Sequence, residues 1–214
     1  MKNTTELVFI LDRSGSMSGL EKDTVGGFNS MISKQKTEDG EALVSTVLFD
    51  NKSVVIHDRL PLDDVPPMTE KEYFTRGCTA LLDALGDAIH HIGNIHKYAR
   101  REDVPEKTLF VITTDGFENA SCRYDYDTVR AMIERQKENY GWDFLFLGAN
   151  IDAVAEARRF GIDADCAVDY KCDEEGTALN FSVISDVVCG VRSNGRIESD
   201  WKKQIDDDVK KRGR

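Results

Sequence analysis

Two apolar runs in this chain end in the same way. Glu6-Leu-Val-Phe-Ile-Leu-Asp12 and Thr108-Leu-Phe-Val-Ile-Thr-Thr-Asp115 each stop at an aspartate with a glycine close behind. A run with almost no polar position suits a strand buried on both faces, the situation of a parallel sheet covered by helices. In such sheets ligands bind outside the carboxyl ends of the strands. Both aspartates therefore fall at the end of the sheet where a site is expected.

The remaining pattern alternates in kind. Leu20 to Lys36 has helical spacing, with Val25, Phe28 and Ile32 on one face. Leu43 to Asp50 and Ser53 to Asp58 read as strands separated only by Asn51-Lys52, too short for a parallel crossover, so they form an antiparallel hairpin. A loop over 61–77 precedes a helix carrying Leu82, Leu85, Ile89 and Ile92. After the second acid-ended strand come a helix around Val129–Ile133, a strand at Trp142–Leu147 and a short helix at Ala153–Phe160. A strand at Cys166–Tyr170 and a helix at Ala178–Val188 complete the series. Strands alternating with helices predict an α/β fold: a doubly wound, mainly parallel six-stranded sheet with one antiparallel edge strand. The length of 214 residues favours a single domain, expected over residues 1–191. Residues 192–214 turn polar and end in Lys210-Lys-Arg-Gly-Arg214, which reads as a solvated tail with a basic tip.

Charge narrows the function. There are 28 Lys and Arg against 39 Asp and Glu, a net charge of −11, which repels phosphate backbones and anionic lipid and attracts cations. Nucleic-acid and membrane partners are therefore not expected. No apolar stretch is long enough to span a bilayer, and the run at Leu7–Leu11 is too short for a signal-peptide core. Five scattered cysteines with no Cys-x-x-Cys pair argue against a disulfide framework or a structural zinc site and fit a reducing cytoplasm.

The candidate site begins at Asp12-Arg-Ser14-Gly-Ser16, where two hydroxyls follow the acid at intervals of two. Arg76-Gly-Cys-Thr79 offers a third hydroxyl at a helix start, and Asp115 supplies the second acid. Two carboxylates and three hydroxyls form an all-oxygen set that suits Mg²⁺ or Mn²⁺ and disfavours zinc. Hydroxyls at helix starts also serve as caps, the competing use for Ser14, Ser16 and Thr79. Glu118 and Asn119, just beyond Asp115, are candidates for contact with the site's waters or with a partner. A second cluster, Asp87 and His91 with His90 and His96, lacks an evident third ligand and reads as an ordinary polar helix face. The acidic runs Asp173-Glu-Glu175 and Asp206-Asp-Asp208 lack calcium-loop spacing.

Asp12-x-Ser14-x-Ser16, then Thr79, then Asp115-Gly116 resemble the metal-ion-dependent adhesion site of von Willebrand factor A domains. The resemblance extends over roughly residues 5–190, and Gly77–Leu85 and Phe144–Asn150 look like the small stand-alone bacterial or phage members of that family. It implies a Rossmann-like von Willebrand A fold holding Mg²⁺ or Mn²⁺. Asp12, Ser14 and Ser16 would bind the ion directly, and Thr79 and Asp115 directly or through water. It also implies capture of an Asp or Glu of a partner protein at the remaining coordination position. A metal-assisted hydrolase or phosphoryl-transfer enzyme is the rival reading, but Ser14 stands where such phosphotransferases need a second carboxylate, and no motif brings a general base near. Nucleotide binding lacks a GxGxxG or GxxxxGK[ST] loop. RNA binding could involve only the basic tail. The expected function is thus a non-enzymatic, metal-dependent interaction module.

Overall fold

The computed structural model describes residues 4–213. Its elements, in chain order, are β1 (Thr4–Asp12), α1 (Glu21–Gln35), β2 (Glu41–Phe49), β3 (Ser53–Pro61), α2 (Leu81–Tyr98) and β4 (Lys107–Thr114). They continue with α3 (Tyr126–Tyr140), β5 (Asp143–Gly148), α4 (Ala153–Arg159), β6 (Ala167–Asp169), α5 (Glu174–Asn194) and α6 (Lys203–Arg212). The six strands form one sheet in the order β3-β2-β1-β4-β5-β6. All neighbours are parallel except the β2–β3 hairpin, which puts the antiparallel strand on an edge. This is the doubly wound α/β fold expected from the strand and helix pattern.

Every residue of β1 is buried, because helices cover both faces of the sheet. Leu7, Phe9 and Leu11 point into one core with Phe28 and Ile32 of α1 and Ile184 and Val188 of α5. Val8 and Ile10 point into the other, with Leu85 and Ile89 of α2, Val129 and Ile133 of α3, and Ala157 of α4. The period-two alternation of a strand thus feeds two separate cores from one apolar run. Chain order reverses between β1 and β4, the central pair, and the crevice at such a switch point is where open α/β sheets bind ligands.

Two differences from expectation concern the C-terminal part of the chain. Helix α5 begins earlier and ends later than Ala178–Val188, because Asp173 caps its first turn by accepting from the Gly176 amide and Gly195 closes it in a left-handed conformation. The polar stretch beyond Arg192, expected as a solvated tail, is folded through most of its length. Trp201 and Ile205 are buried in the core shared with α5, and the Trp201 indole donates to Asp165 O at 2.8 Å. The sparse apolar residues of α6 hid an amphipathic helix whose charges face outward. Arg212 there links Asp208 to Asp173, so both acidic runs serve intrachain ion pairs. The final residue of the basic tip, Arg214, lies outside the described residues.

Candidate metal centre

The loop after β1, the start of α2 and the loop after β4 meet at the carboxyl end of the sheet. Asp12 Oδ1 accepts from the Ser14 amide at 2.6 Å, folding the chain back on itself at once. Ser14 Oγ and Ser16 Oγ lie 3.0 Å apart, and Ser16 Oγ donates to Asp115 Oδ1 at 2.5 Å. A methyl group added at Gly116 would stand 3.4 Å from Thr79 Oγ1 and 3.6 Å from Ser16 Oγ, so Thr79 belongs to the same cluster. All five residues singled out in the sequence come together. Asp12, Ser14, Thr79 and Asp115 are buried, whereas Ser16 is exposed and marks the open side.

Why the loops pass so close is legible in two glycines. The Gly15 amide donates to Gly77 O at 3.1 Å, and a side chain on Gly15 would press on that oxygen at 3.2 Å. Gly77 has a φ of +67°, and a Cβ there would collide with Asn51 Oδ1. Tyr73 supports the floor: its buried hydroxyl donates to Asp12 O at 2.6 Å.

The hydroxyls are not spent on capping. Ser14 makes no side-chain cap, and the residue at the cap position of α2 is Ala80 rather than Thr79. The first amides of α2 are taken from elsewhere: Leu82 N donates to Glu118 Oε2 at 2.8 Å and Asp83 N to Ser121 Oγ at 3.0 Å. Glu118 Oε1 accepts further bonds from the amides of Ala120 and Ser121. Asn119 Oδ1 accepts from Thr79 N at 2.9 Å, and Asn119 N donates to Thr79 O at 3.0 Å. Glu118 and Asn119 therefore fasten Thr79 and the start of α2 from within the chain.

Electrostatics mark the spot. Burial pushes the Asp12 carboxyl up to about 6, hydrogen bonds from Thr114 and Ser14 work against that rise, and the Asp115 charge adds to it. Burial raises Asp115 as well, with opposing hydrogen bonds from Ser16 and Cys172. Two acids held close in a low-dielectric crevice favour a bound cation. The donor set fits Mg²⁺ or Mn²⁺, since every ligating atom offered is a hard oxygen and the pair of carboxylates matches a divalent charge. Such an ion would be held by Asp12, Ser14 and Ser16 with Thr79 and Asp115, and when bound it supplies an electrophilic position for an outside oxygen. Among the described residues there is no group of three or more His, Cys, Asp or Glu side chains that could hold a metal ion. In particular His91 pairs with Asp58 at 2.8 Å and Asp87 with Arg123, which separates the two members of the helix-face cluster.

Three contributors were not singled out in the sequence. Thr114 Oγ1 donates to Asp12 Oδ2 at 2.6 Å, placed there by the parallel β1–β4 register that sets Leu11 against Thr113. Asp50 directly follows β2, and its buried carboxylate accepts from Arg13 at 3.0 Å and Arg76 at 2.8 Å. Burial opposes ionisation of Asp50, but the Arg76 and Lys52 hydrogen bonds and the two guanidinium charges hold its carboxyl below the usual range. A third strand ending in an acid was the available signal. Cys172, beyond β6, lies 3.6 Å from Asp115 Oδ2, and no local pattern announces it.

Comparison with known proteins adds the fold class. No family model matches the chain, and no curated protein matches it. Solved structures do. The von Willebrand factor domain of the type V pili tip protein Mfa5 from Porphyromonas gingivalis is similar at 11% identity and a TM-score of 0.63, covering 91% of this chain and 98% of that one. The von Willebrand factor type A protein from Catenulispora acidiphila is similar at 18% identity and a TM-score of 0.58, covering 87% of this chain and 43% of that one. Proximal thread matrix protein 1 from the mussel byssus, with a zinc-occupied MIDAS motif, is similar at 13% identity and a TM-score of 0.57, covering 86% and 46%. The chain spans about half the length of the first structures it matches. Its fold is that of von Willebrand factor A domains.

Proposed function

We propose that the chain is a metal-dependent protein-interaction module. Asp12, Ser14, Ser16, Thr79 and Asp115 hold Mg²⁺ or Mn²⁺, and a partner protein completes the coordination with an Asp or Glu carboxylate. The convergence of two buried acids and three hydroxyls on one opening carries this reading, with Ser16 linked both to Ser14 and to Asp115. The zinc-occupied MIDAS motif named for the mussel protein is a precedent for a cation in this fold. A bound divalent ion relieves the repulsion between Asp12 and Asp115 and gives an acidic protein a means of holding an acidic partner. Membership of the stand-alone bacterial or phage type and a cytoplasmic setting belong to the same proposal. Among the described residues no helix is long and apolar enough to cross a membrane.

The test is a pull-down from cell extract with the full chain in Mg²⁺ or in EDTA, alongside Asp12→Ala. Partners held in Mg²⁺ and released by both treatments support the reading. Partners retained in EDTA contradict it.

A further inference from the structure

We infer that the rim of the metal centre selects a partner segment carrying a second acid and an apolar side chain next to the metal-bound carboxylate, read by Arg76, Phe74 and Phe117. The inference rests on the metal-dependent reading and adds the flanking chemistry that the partner must have.

Arg76 and Phe74 lie on the loop that touches the metal-centre turn, since Arg76 N donates to Arg13 O at 3.0 Å and Gly15 N to Gly77 O. Phe117 follows Gly116, the residue beside Thr79 and Ser16. Both phenylalanines are large apolar groups left in solvent, Phe74 at 40% and Phe117 at 55% exposure. Phe74 is fixed in place, with the Arg13 and Arg76 guanidinium carbons 5.1 and 4.9 Å from its ring centre. Ring and cation are thus ordered before any partner arrives, which lowers the entropy lost on docking.

Charge says what docks. Arg13 and Arg76 share the single carboxylate of Asp50, so this ion-paired trio carries one surplus positive charge in a chain of net charge −11. Arg13 is buried and also donates to Glu72 O, whereas the Arg76 side chain is half exposed and commits its Nε to Asp50. The neighbouring acids Glu21 and Glu72 keep their charge but turn their oxygens onto the chain's own donors, Glu21 onto Thr75 and Gly19 N, and Glu72 onto Thr69. The outer edge of the Arg76 guanidinium suits a second carboxylate, and the exposed rings of Phe74, under that guanidinium, and of Phe117, next to Gly116, suit an apolar residue between the two acids.

The probe is a random linear peptide library displayed on phage, selected in Mg²⁺ against the full chain and against Arg76→Gln, Arg76→Lys and Phe117→Ser. The wild-type chain is expected to enrich peptides with two acids and an adjacent apolar residue. With Mg²⁺ held at saturation for each variant, those peptides should bind Arg76→Gln about tenfold or more weakly, the loss of one charge-assisted contact. Phe117→Ser, at an exposed position, should relax the apolar requirement alone, and Arg76→Lys should restore part of the loss. Enriched peptides with a single acid, equal binding to Arg76→Gln, or no enrichment by the Mg²⁺-loaded chain overturns the inference. The two readings separate in EDTA. Two-acid peptides that survive EDTA but fail on Arg76→Gln sink the metal reading and leave the rim, whereas EDTA-sensitive peptides indifferent to Arg76 do the reverse.

Discussion

Ser16 Oγ donates to Asp115 Oδ1 at 2.5 Å, joining the first and third loops of the centre across 99 positions of sequence. The same hydroxyl lies 3.0 Å from Ser14 Oγ, so one exposed serine ties the two acid-bearing strands together at the mouth. Behind it, Thr114 holds the far oxygen of Asp12. Thr114→Val removes that donor without removing a proposed ligand. Loss of such an orienting partner costs about 10–100-fold in metal affinity, and a Mn²⁺ titration measures it. Unchanged affinity would mean that Asp12 needs no support from β4.

Glu118 is expected to matter for stability. Its carboxylate accepts from Leu82 N, Ala120 N, Ser121 N and Ser121 Oγ, four donors at and beside the start of α2. Glu118→Ala should cost roughly 2–3 kcal/mol, the range for hydrogen bonds to a charged group, in urea unfolding. A change below about 0.5 kcal/mol would assign Glu118 to the surface instead.

Cysteine reactivity offers a chemical check on geometry. Burial and the Asp115 charge push the Cys172 thiol up to about 12, which leaves little thiolate at neutral pH. Cys78 and Cys122 are exposed. Iodoacetamide followed by peptide mass spectrometry should find Cys78 and Cys122 modified well before Cys172. Equal rates would place Cys172 away from Asp115.

Acid sensitivity should come in part from His57. Its ring is buried, stacked on Phe28 at 6.2 Å, with Nδ1 3.0 Å from Thr46 Oγ1. Burial lowers its pKa from 6.5, so the folded state binds the proton less readily than the unfolded chain. The stability tied to neutral His57 is therefore complete above about pH 6.5 and falls as pH drops toward its lowered folded value. Denaturation midpoints measured across that range should slope less in His57→Gln than in the wild-type chain. Parallel slopes would remove His57 from the account.

Trp201 tests whether the C-terminal segment is part of the fold. Its side chain is buried with Ile205 against α5, and its indole N–H is bonded to Asp165 O. Trp201→Ala should cost about 3 kcal/mol or more by urea unfolding, as for other large buried aromatics. A neutral result would return residues beyond 195 to the role of appendage.

These examples show where the sequence was legible. Strands β1 and β4 announce themselves because burial on both faces removes polar positions, and the acids at their ends mark the only strong break in each run. Ser14, Ser16 and Thr79 could be read because loop residues at fixed offsets are a local signal. Thr114 and Cys172 could not: one is placed by the register of a parallel pair and the other by the last strand of the sheet, both long-range outcomes. The folding of α6 was obscured for another reason. Trp201, just before the helix, and Ile205 and Val209 within it carry its docking, too few to stand out among the charges of a short helix. Glu118 and Asn119 stand out in the sequence by position, but their direction depends on the amides of Leu82 and Thr79, which no spacing reveals.

The most direct test of the central claim is Mn²⁺ binding followed by electron paramagnetic resonance, in which the signal of free aqueous ion is lost on uptake. The full chain is predicted to bind one ion competed by Mg²⁺, and Asp12→Ala and Asp115→Ala are predicted to lose it while keeping the wild-type circular dichroism spectrum. No uptake by the wild-type chain, or uptake unchanged in folded Asp12→Ala, would contradict a metal centre at the meeting of β1, α2 and β4.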